Sequence, residues 1–535
     1  MGIQFSKTYV TDPAKLGVKV SQDRVPKEAG DEWQSYDYVV VGGGSAGCVV
    51  AARLSEDPGV TVLLIEAGKS DGGFFTRVPL GFTKTYETDV DWVYKCIPQE
   101  RQSGKVIYWP RGKMLGGTSM LNASIYTRGT PEDFDRWERD GATGWSYKDM
   151  EKYFEKVEGF DGARKQFAKF DLNNKGRNGP IQLGQTEDAS SIVSIIRSAI
   201  QDLGVPSAPD PTGHGGLLGH ARFIGTVDAK GERSSAKAYL TPEVLARPNL
   251  TVATNIMVEK IVFSESETPR AVAVEVSASK SGPRYRIAAG KEIIVSAGAF
   301  ATPQLLLLSG IGPKAELEAL GIKCVKDSPH VGKHMLDHVS SGPIILRSKA
   351  GYSIDHLNSP LNGAQVLLKW LISGTGPMSS LSVNSAAFVR SDDSKIFDTS
   401  VGNVDDNTSG PQSPDLEIMW VPAVVPTLTS TARSGEYGFT MMAVAMQPKS
   451  EGSVTLKTTS IWDRPIIDPN FLESPSDVDL ILRGVRFIQR VARSEQLKHI
   501  VDLKPNNADK ESYFWLGDMD PDKASHANQQ PRDPS

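Results

Sequence analysis

Cysteine is scarce in this chain. Cys48, Cys96 and Cys324 are the only three among 535 residues, and they form no Cys-x-x-Cys pair. An odd number of widely spaced cysteines argues against a disulfide scaffold and fits a reducing compartment. Histidine is sparse too. Only His330, His334 and His338 approach a ligand-like spacing, and Pro329 and Gly332 interrupt the helix that would stack them, so no metal is expected. No apolar run nears the roughly 20 residues that span a bilayer. The N-terminus lacks the apolar stretch of a secretory signal, so a cytoplasmic protein is expected. Positive charge is not in excess: the formal net charge is −5. That leaves no electrostatic case for a nucleic-acid partner. One terminal feature qualifies this picture. Met1-Gly2-Ile3-Gln4-Phe5-Ser6 fits the pattern for myristoylation of Gly2. Membrane contact is expected only if Gly2 carries that chain, and a single chain gives marginal attachment.

What is present is ordinary in bulk and informative in detail. Apolar residues make up 39% and charged residues 23%, as in a soluble globular protein. A chain of this length exceeds one core, so two or more domains are expected. Residues 36 to 47 read Tyr-Asp-Tyr-Val-Val-Val-Gly-Gly-Gly-Ser-Ala-Gly. The apolar run Val39 to Val41 leads into Gly42, Gly44 and Gly47. A helical stretch follows through Leu54, then a second apolar run from Val60 to Ile65 that ends on Glu66. This is strand, glycine turn, helix, strand and acid. Gly42 permits the tight turn, Gly44 lets backbone approach a pyrophosphate, and Gly47 lets helix and strand pack closely. The N-terminus of the helix that follows offers free N–H groups to phosphate. Glu66 is placed to accept from ribose hydroxyls and disfavours a 2′-phosphate. Dinucleotide binding follows; the motif alone does not separate FAD from NAD.

Residues 1 to 34 are polar and read as an N-terminal arm. The stretch from 71 to 110 is rich in aromatics, for which core is the default. Pro131 to Arg139 reads as a helix, and residues 146 to 203 read as mostly helical. Residues 250 to 263 suggest two strands, 270–277 and 284–289 a hairpin, and Lys291 to Ser296 a separate buried strand. A helical run is expected over Pro303 to Leu308, and alternating strands at Gly438–Met446 and Gly452–Leu456. Asp477 to Arg493 reads as an amphipathic helix with Val478, Ile481, Leu482, Val485, Ile488 and Ala492 on one face.

Two longer segments carry a resemblance. The first is Gly112-Lys-Met-Leu-Gly-Gly-Thr-Ser-Met-Leu-Asn122, continuing to Tyr126, Gly129 and Asp135. The second is Gly298-Ala-Phe-Ala-Thr-Pro-Gln-Leu-Leu-Leu-Leu-Ser-Gly-Ile-Gly312. With Asp337-His338, Pro448, Gly452 and Asp468-Pro-Asn-Phe471, they make residues 35 to 495 resemble the glucose–methanol–choline (GMC) oxidoreductases. The resemblance implies an α/β (α+β overall) fold. A Rossmann-type FAD-binding domain, 35–160 and 225–345, would be joined to a substrate domain, 161–224 and 346–500, on a mostly antiparallel sheet. It implies FAD as cofactor and oxidation of a CH–OH group by hydride transfer to the flavin. The partners would be a small-molecule alcohol and oxygen or another electron acceptor. By motif match, Gly42, Gly44, Ser45, Ala46, Gly47 and Glu66 would hold the ADP half. Gly117, Thr118 and Asn122 would run beside the pyrophosphate and flavin, and the backbone of Val258 would meet the adenine. Some relatives attach FAD through a histidine before the asparagine; here that position is Leu121, so non-covalent FAD is expected.

The C-terminal end departs from the family pattern. Members carry a catalytic histidine in a His-Pro-Val-Gly-Thr-type run after the helix found here at 477 to 493, and neither that run nor a later Gly-Asn-Pro is present. His526 is the only late histidine and its neighbours do not match, so the catalytic residue is left unassigned. Residues 501–535 read as an irregular tail in place of the catalytic segment. A C-terminally truncated form of a GMC enzyme is therefore expected. The alternatives are an inactive flavin-binding pseudoenzyme and a hydroxynitrile-lyase-type lyase on the same fold.

Overall fold

The computed structural model describes residues 9–20, 35–160, 173–208, 210, 212–399, 402–427, 431–503 and 514. The chain divides into two compact units. Unit 1 comprises Met1–Ser124, Arg233–Asp337 and Ser450–Glu473. Unit 2 comprises Ile125–Glu232, His338–Lys449 and Ser474–Ser535.

Unit 1 is built on a seven-stranded sheet. Its strands are β1 (Val18–Lys19), β2 (Ser35–Val41), β3 (Val62–Ile65), β4 (Leu250–Ala253), β5 (Met257–Phe263), β6 (Ala271–Ser277) and β7 (Tyr285–Val295). The order is β4-β3-β2-β7-β6-β5, and β1 pairs with β7. The pairs β4–β3, β3–β2 and β2–β7 are parallel, whereas β7–β6 and β6–β5 are antiparallel. The parallel strands are covered on both faces, which explains their unbroken apolar runs: Val39, Val40, Val62, Leu63 and Leu64 are completely buried. Each such side chain contributes about 1.5–3 kcal/mol of burial. The core includes Val39, Val41, Leu63, Ile65, Ile256, Val274, Ile287 and Leu305. Helix α1 (Ser45–Leu54) connects β2 to β3, and helix α2 (Gly298–Leu308) follows β7.

Unit 2 contains a six-stranded sheet in which every pairing is antiparallel. The strand Gly219–Arg222 is followed across the sheet by β10 (Ser385–Val389), β11 (Leu416–Val421), β12 (Gly438–Ala445) and β8 (Val339–Ser340). The remaining strand, β9 (Ile344–Arg347), also pairs with β12. Helix α3 (Pro475–Ala492) lies on one face of this sheet. It approaches closely at Gly484, where a Cβ would sit 2.5 Å from Ala443 Cβ and 3.0 Å from a Leu416 methyl.

Several sequence expectations change. Residues 9–20 are not a loose arm: Leu16 is 1% exposed in the unit 1 core, Val10 bridges to Ala253, and β1 joins the sheet. Residues 125–160 belong to unit 2, because Ile125–Tyr126 pairs with Ile224–Gly225. Residues 450–473 return to unit 1, where Ile97 N–H donates to Ile467 O and Met335 pairs with Gly452. The second hairpin strand and the separate buried strand are one element, β7. Its first half pairs antiparallel with β6 and its second half parallel with β2, with a register shift between Ala289 and Glu292. Helix α2 begins at Gly298, five residues before the expected start, with Pro303 inside it. In α3 the buried face runs through Leu480, Gly484, Phe487 and Val491 as well as Ile481 and Ile488, and Leu482 is exposed.

Candidate functional site

The β2–α1–β3 segment of unit 1 makes one side of a cleft of about 390 Å³, within the range of small-molecule sites. Gly42 turns the chain out of β2 at φ +97°, and a Cβ there would stand 2.5 Å from Ser296 O. Gly44 is the N-cap of α1 and carries no side-chain cap. The first-turn N–H groups of a helix have no intrahelical acceptors and bear the positive end of its dipole. Gly117 approaches from the other side: a Cβ on it would lie 2.6 Å from Gly44 Cα, so the two glycine backbones meet without side chains between them. Gly47 lies underneath, packed against the Gly42 carbonyl.

Glu66 follows β3 directly and is 5% exposed. Its Oε2 accepts from Gly43 N–H (2.8 Å) and its Oε1 from Gly68 N–H (2.7 Å). These bonds fix the carboxylate beside the cleft and leave lone pairs for hydroxyl donors. Burial pushes the carboxyl up to about 7, against the pull of the Gly68 and Gly43 amides and of Lys113. Cys48, on the buried side of α1, donates from Sγ to Gly43 O (3.0 Å). Burial raises its thiol to about 12, so it packs as a neutral group. All three cysteines are free.

The structure brings Gly42, Gly44, Ser45, Ala46, Glu66, Gly117, Thr118 and Val258 to this one cleft. Asn122 is not on its lining. It stands exposed just past the short 3-10 turn Gly117–Met120, with its N–H bonded to Thr118 O (3.0 Å). Residues not assigned from sequence also line the cleft: Trp92, Tyr94, Arg111, Met257 and the start of α2 from Gly298 to Thr302. Gly298 sits at φ +85° with open space where a Cβ would be, so α2 offers a second helix N-terminus. The signal was the glycine opening the second long motif. Arg111 brings a guanidinium over the Phe300 ring, 5.3 Å from its centroid. The aromatic stretch is mixed: Tyr94 and Trp109 are buried, whereas Phe74 and Phe75 are exposed.

Leu121 is 1% exposed and packs with Val90, Met114 and Met120. His330, His334 and His338 lie outside helices; His330 Nδ1 and His334 Nε2 are 3.0 Å apart, and His334 Nδ1 is 2.5 Å from Glu451 Oε2. Among the described residues no group of three or more His, Cys, Asp or Glu suits a metal ion, and no helix is long and apolar enough to cross a membrane. Gly2 and His526 lie outside the described residues.

These residues fit an adenine dinucleotide. Two helix N-termini and a side-chain-free glycine contact suit a pyrophosphate, a buried carboxylate suits a ribose, and an apolar strand edge suits a base. The comparisons agree. Models of GMC oxidoreductase match residues 36–340 and 448–530; the second takes in most of the segment set apart above as a tail. Dehydrogenase str4 of Strobilurus tenacellus is 40% identical over 536 residues, covering 97% of this chain and 86% of that one. An alcohol dehydrogenase [acceptor] of Pseudomonas putida is 32% identical, over 84% of this chain and 77% of its own. The crystal structure of formate oxidase aligns with a TM-score of 0.79 at 27% identity, covering 88% of this chain and 83% of that one. With the glycine cleft, the acid and both family matches in place, the chain belongs to the GMC oxidoreductases, FAD-dependent enzymes that oxidise CH–OH groups of small-molecule alcohols and pass the electrons to an acceptor.

Proposed function

We propose that the unit 1 cleft holds the ADP half of a non-covalently bound FAD. Gly44, Ser45, Ala46 and Gly117 receive the pyrophosphate, Glu66 the ribose and Val258 the adenine. The observation that carries this is the convergence of the Gly44 and Gly117 backbones in a cleft that Glu66 also lines. The buried, apolar Leu121 supports non-covalent attachment, because it offers no nucleophile where some relatives use histidine. The substrate is a small or medium-sized alcohol. When bound, FAD supplies the acceptor for the hydride that leaves the carbinol carbon, while the hydroxyl proton goes to a base. Oxygen or another acceptor then takes the electrons. The base is left unassigned: His499, which follows α3, is exposed, and His526 lies outside the described residues. A weak attachment to membranes through a lipidated Gly2 remains part of this reading, in an otherwise cytoplasmic protein.

The purified chain tests it. The expected result is a flavin absorption spectrum, full release of the flavin into the supernatant after acid denaturation, and bleaching by at least one member of an alcohol panel under anaerobic conditions. Flavin that stays with the denatured polypeptide would overturn non-covalent binding. A folded chain that takes up no FAD would overturn the cleft assignment. Bound flavin that no alcohol bleaches would favour a different chemistry for this chain.

A further inference from the structure

Arg233 opens the second segment of unit 1 and is 9% exposed. Its Nε donates to Thr76 O (3.1 Å), and its Nη1 donates to Asn122 Oδ1 (2.6 Å) and Ser119 O (3.4 Å). Its Nη2 is buried and has no acceptor. No carboxylate pairs with this guanidinium among the described residues; the one ionisable side chain that bears on it is the phenol of Tyr86, itself pushed up by burial. Burial lowers Arg233 to about 10, so it stays charged at neutral pH. A buried cation without a counter-ion is an expensive arrangement, and it calls for a source of negative charge nearby.

Asn122 points to where that charge arises. Its Oδ1 accepts from Arg233 and also from Ser124 N–H (3.1 Å). Both donors address the oxygen, so the amide cannot flip without losing them, and Nδ2 is left as an outward donor with no acceptor among the described residues. The residue is exposed and lies four positions past Thr118, which lines the cleft. A cofactor whose pyrophosphate rests between Gly44 and Gly117 and continues along this segment passes Asn122.

We infer that Arg233 is a positioning residue for the bound flavin: it holds the Asn122 amide as a donor toward the cofactor, and its uncompensated charge favours the flavin once reduced. This rests on the cofactor placement proposed above. Hydride brings two electrons and one proton to a neutral flavin, so the reduced form carries an extra negative charge. A fixed cation in a low-dielectric site stabilises that form over the oxidised one.

The test is spectroelectrochemical titration of the FAD-loaded chain with R233Q and R233K. R233Q is expected to lose at least tenfold of its preference for reduced over oxidised flavin, a shift of about 30 mV to more negative potential for a two-electron couple. R233K keeps the charge and loses the fork. It is expected to hold the wild-type potential while binding FAD about tenfold more weakly, because one ammonium cannot serve both Thr76 O and Asn122 Oδ1 as the guanidinium does. Flavin-loaded R233Q with an unchanged potential would overturn the electrostatic role. R233K with wild-type FAD affinity would overturn the positioning role, and R233K with a potential as low as R233Q would overturn the importance of charge. If R233Q is not recovered folded, R233M, uncharged and of similar length, takes its place in the titration, and an unchanged potential in it would equally overturn the electrostatic role. A wild-type chain that binds no FAD would instead overturn the cofactor placement.

Discussion

A Cβ on Gly47 would lie 1.8 Å from the carbonyl oxygen of Gly42. No rotamer relieves that clash, since both partners are backbone. Gly47→Ala is therefore expected to push α1 away from the β2 turn and to destabilise the chain by about 1–3 kcal/mol, the range for overpacking. Denaturant unfolding of the apo protein measures it. An unchanged midpoint would show that helix and turn separate freely.

Gly44→Ala makes the contrasting case. Gly44 has φ −80° and ψ −155°, which alanine adopts without strain. The new methyl would meet only Gly117 Cα, at 3.8 Å. Stability is expected to stay within about 0.5 kcal/mol, while FAD affinity falls at least tenfold, about 1.4 kcal/mol, because the methyl stands where a phosphate would. Melting of the apo protein and a flavin-binding titration separate the two effects. Wild-type affinity in this variant would place the pyrophosphate elsewhere.

Glu66 gives a pH dependence. Its carboxyl is raised to about 7 in the folded chain, against about 4.3 in an unfolded one. The folded state therefore binds the extra proton between those values, and the cost of the buried charge grows as pH rises through this window. Ribose hydroxyls donate to the ionised form, so FAD affinity is expected to rise with pH through about 7. In Glu66→Gln that dependence should vanish, and affinity should drop by roughly 1.5–3 kcal/mol, the worth of a hydrogen bond to a charged group. Reconstitution of apoprotein from pH 6 to 8.5 provides the measurement, and a slope shared by both proteins would contradict it.

Unit 2 holds a buried ion pair that bears on stability. Arg128 and Glu158 side chains are both fully buried, joined by Nε–Oε1 and Nη2–Oε2 bonds of 2.7 Å. Tyr126 Oη and Gly176 N–H also donate to the carboxylate. Glu158→Ala strands the cation and is expected to cost about 3–5 kcal/mol. Thermal and denaturant unfolding check this; a loss under 1 kcal/mol would mean that water replaces the carboxylate.

The glycine turn and the acid beside the unit 1 cleft were legible because their geometry is local. Strand, glycine turn, helix and acid lie within about thirty residues, the length of one βαβ unit, and each residue type has one geometric reason to be there. The same holds for the helix Pro131–Arg139, opened by Thr130 and Pro131 with Asp133 closing the cap. What failed was non-local or hidden by a misleading local signal. A strand that changes partners midway, as β7 does at Ala289–Glu292, reads as two. The start of α2 was obscured by Pro303, which marks a helix beginning more often than a helix interior. The buried face of α3 turns on Gly484, whose lack of a side chain lets the helix touch Ala443 and Leu416, and an apolar pattern does not register an absent side chain. Arg233 had no sequence signal, because its partners Thr76 and Asn122 are more than a hundred residues away.

The chain crosses between its two units five times, and β2 completes its pairing only with β7. Gly42 packs against Ser296, about 250 residues later, which at ribosomal speed is on the order of ten to fifty seconds of synthesis. For most of that interval the nascent glycine turn has no floor, and β2 and β3, though they pair with each other, lack their outer partners β7 and β4. A cofactor held in this cleft would therefore bind only after Ser296 is in place, and this stretch of the nascent chain is where chaperone occupancy is expected to be greatest.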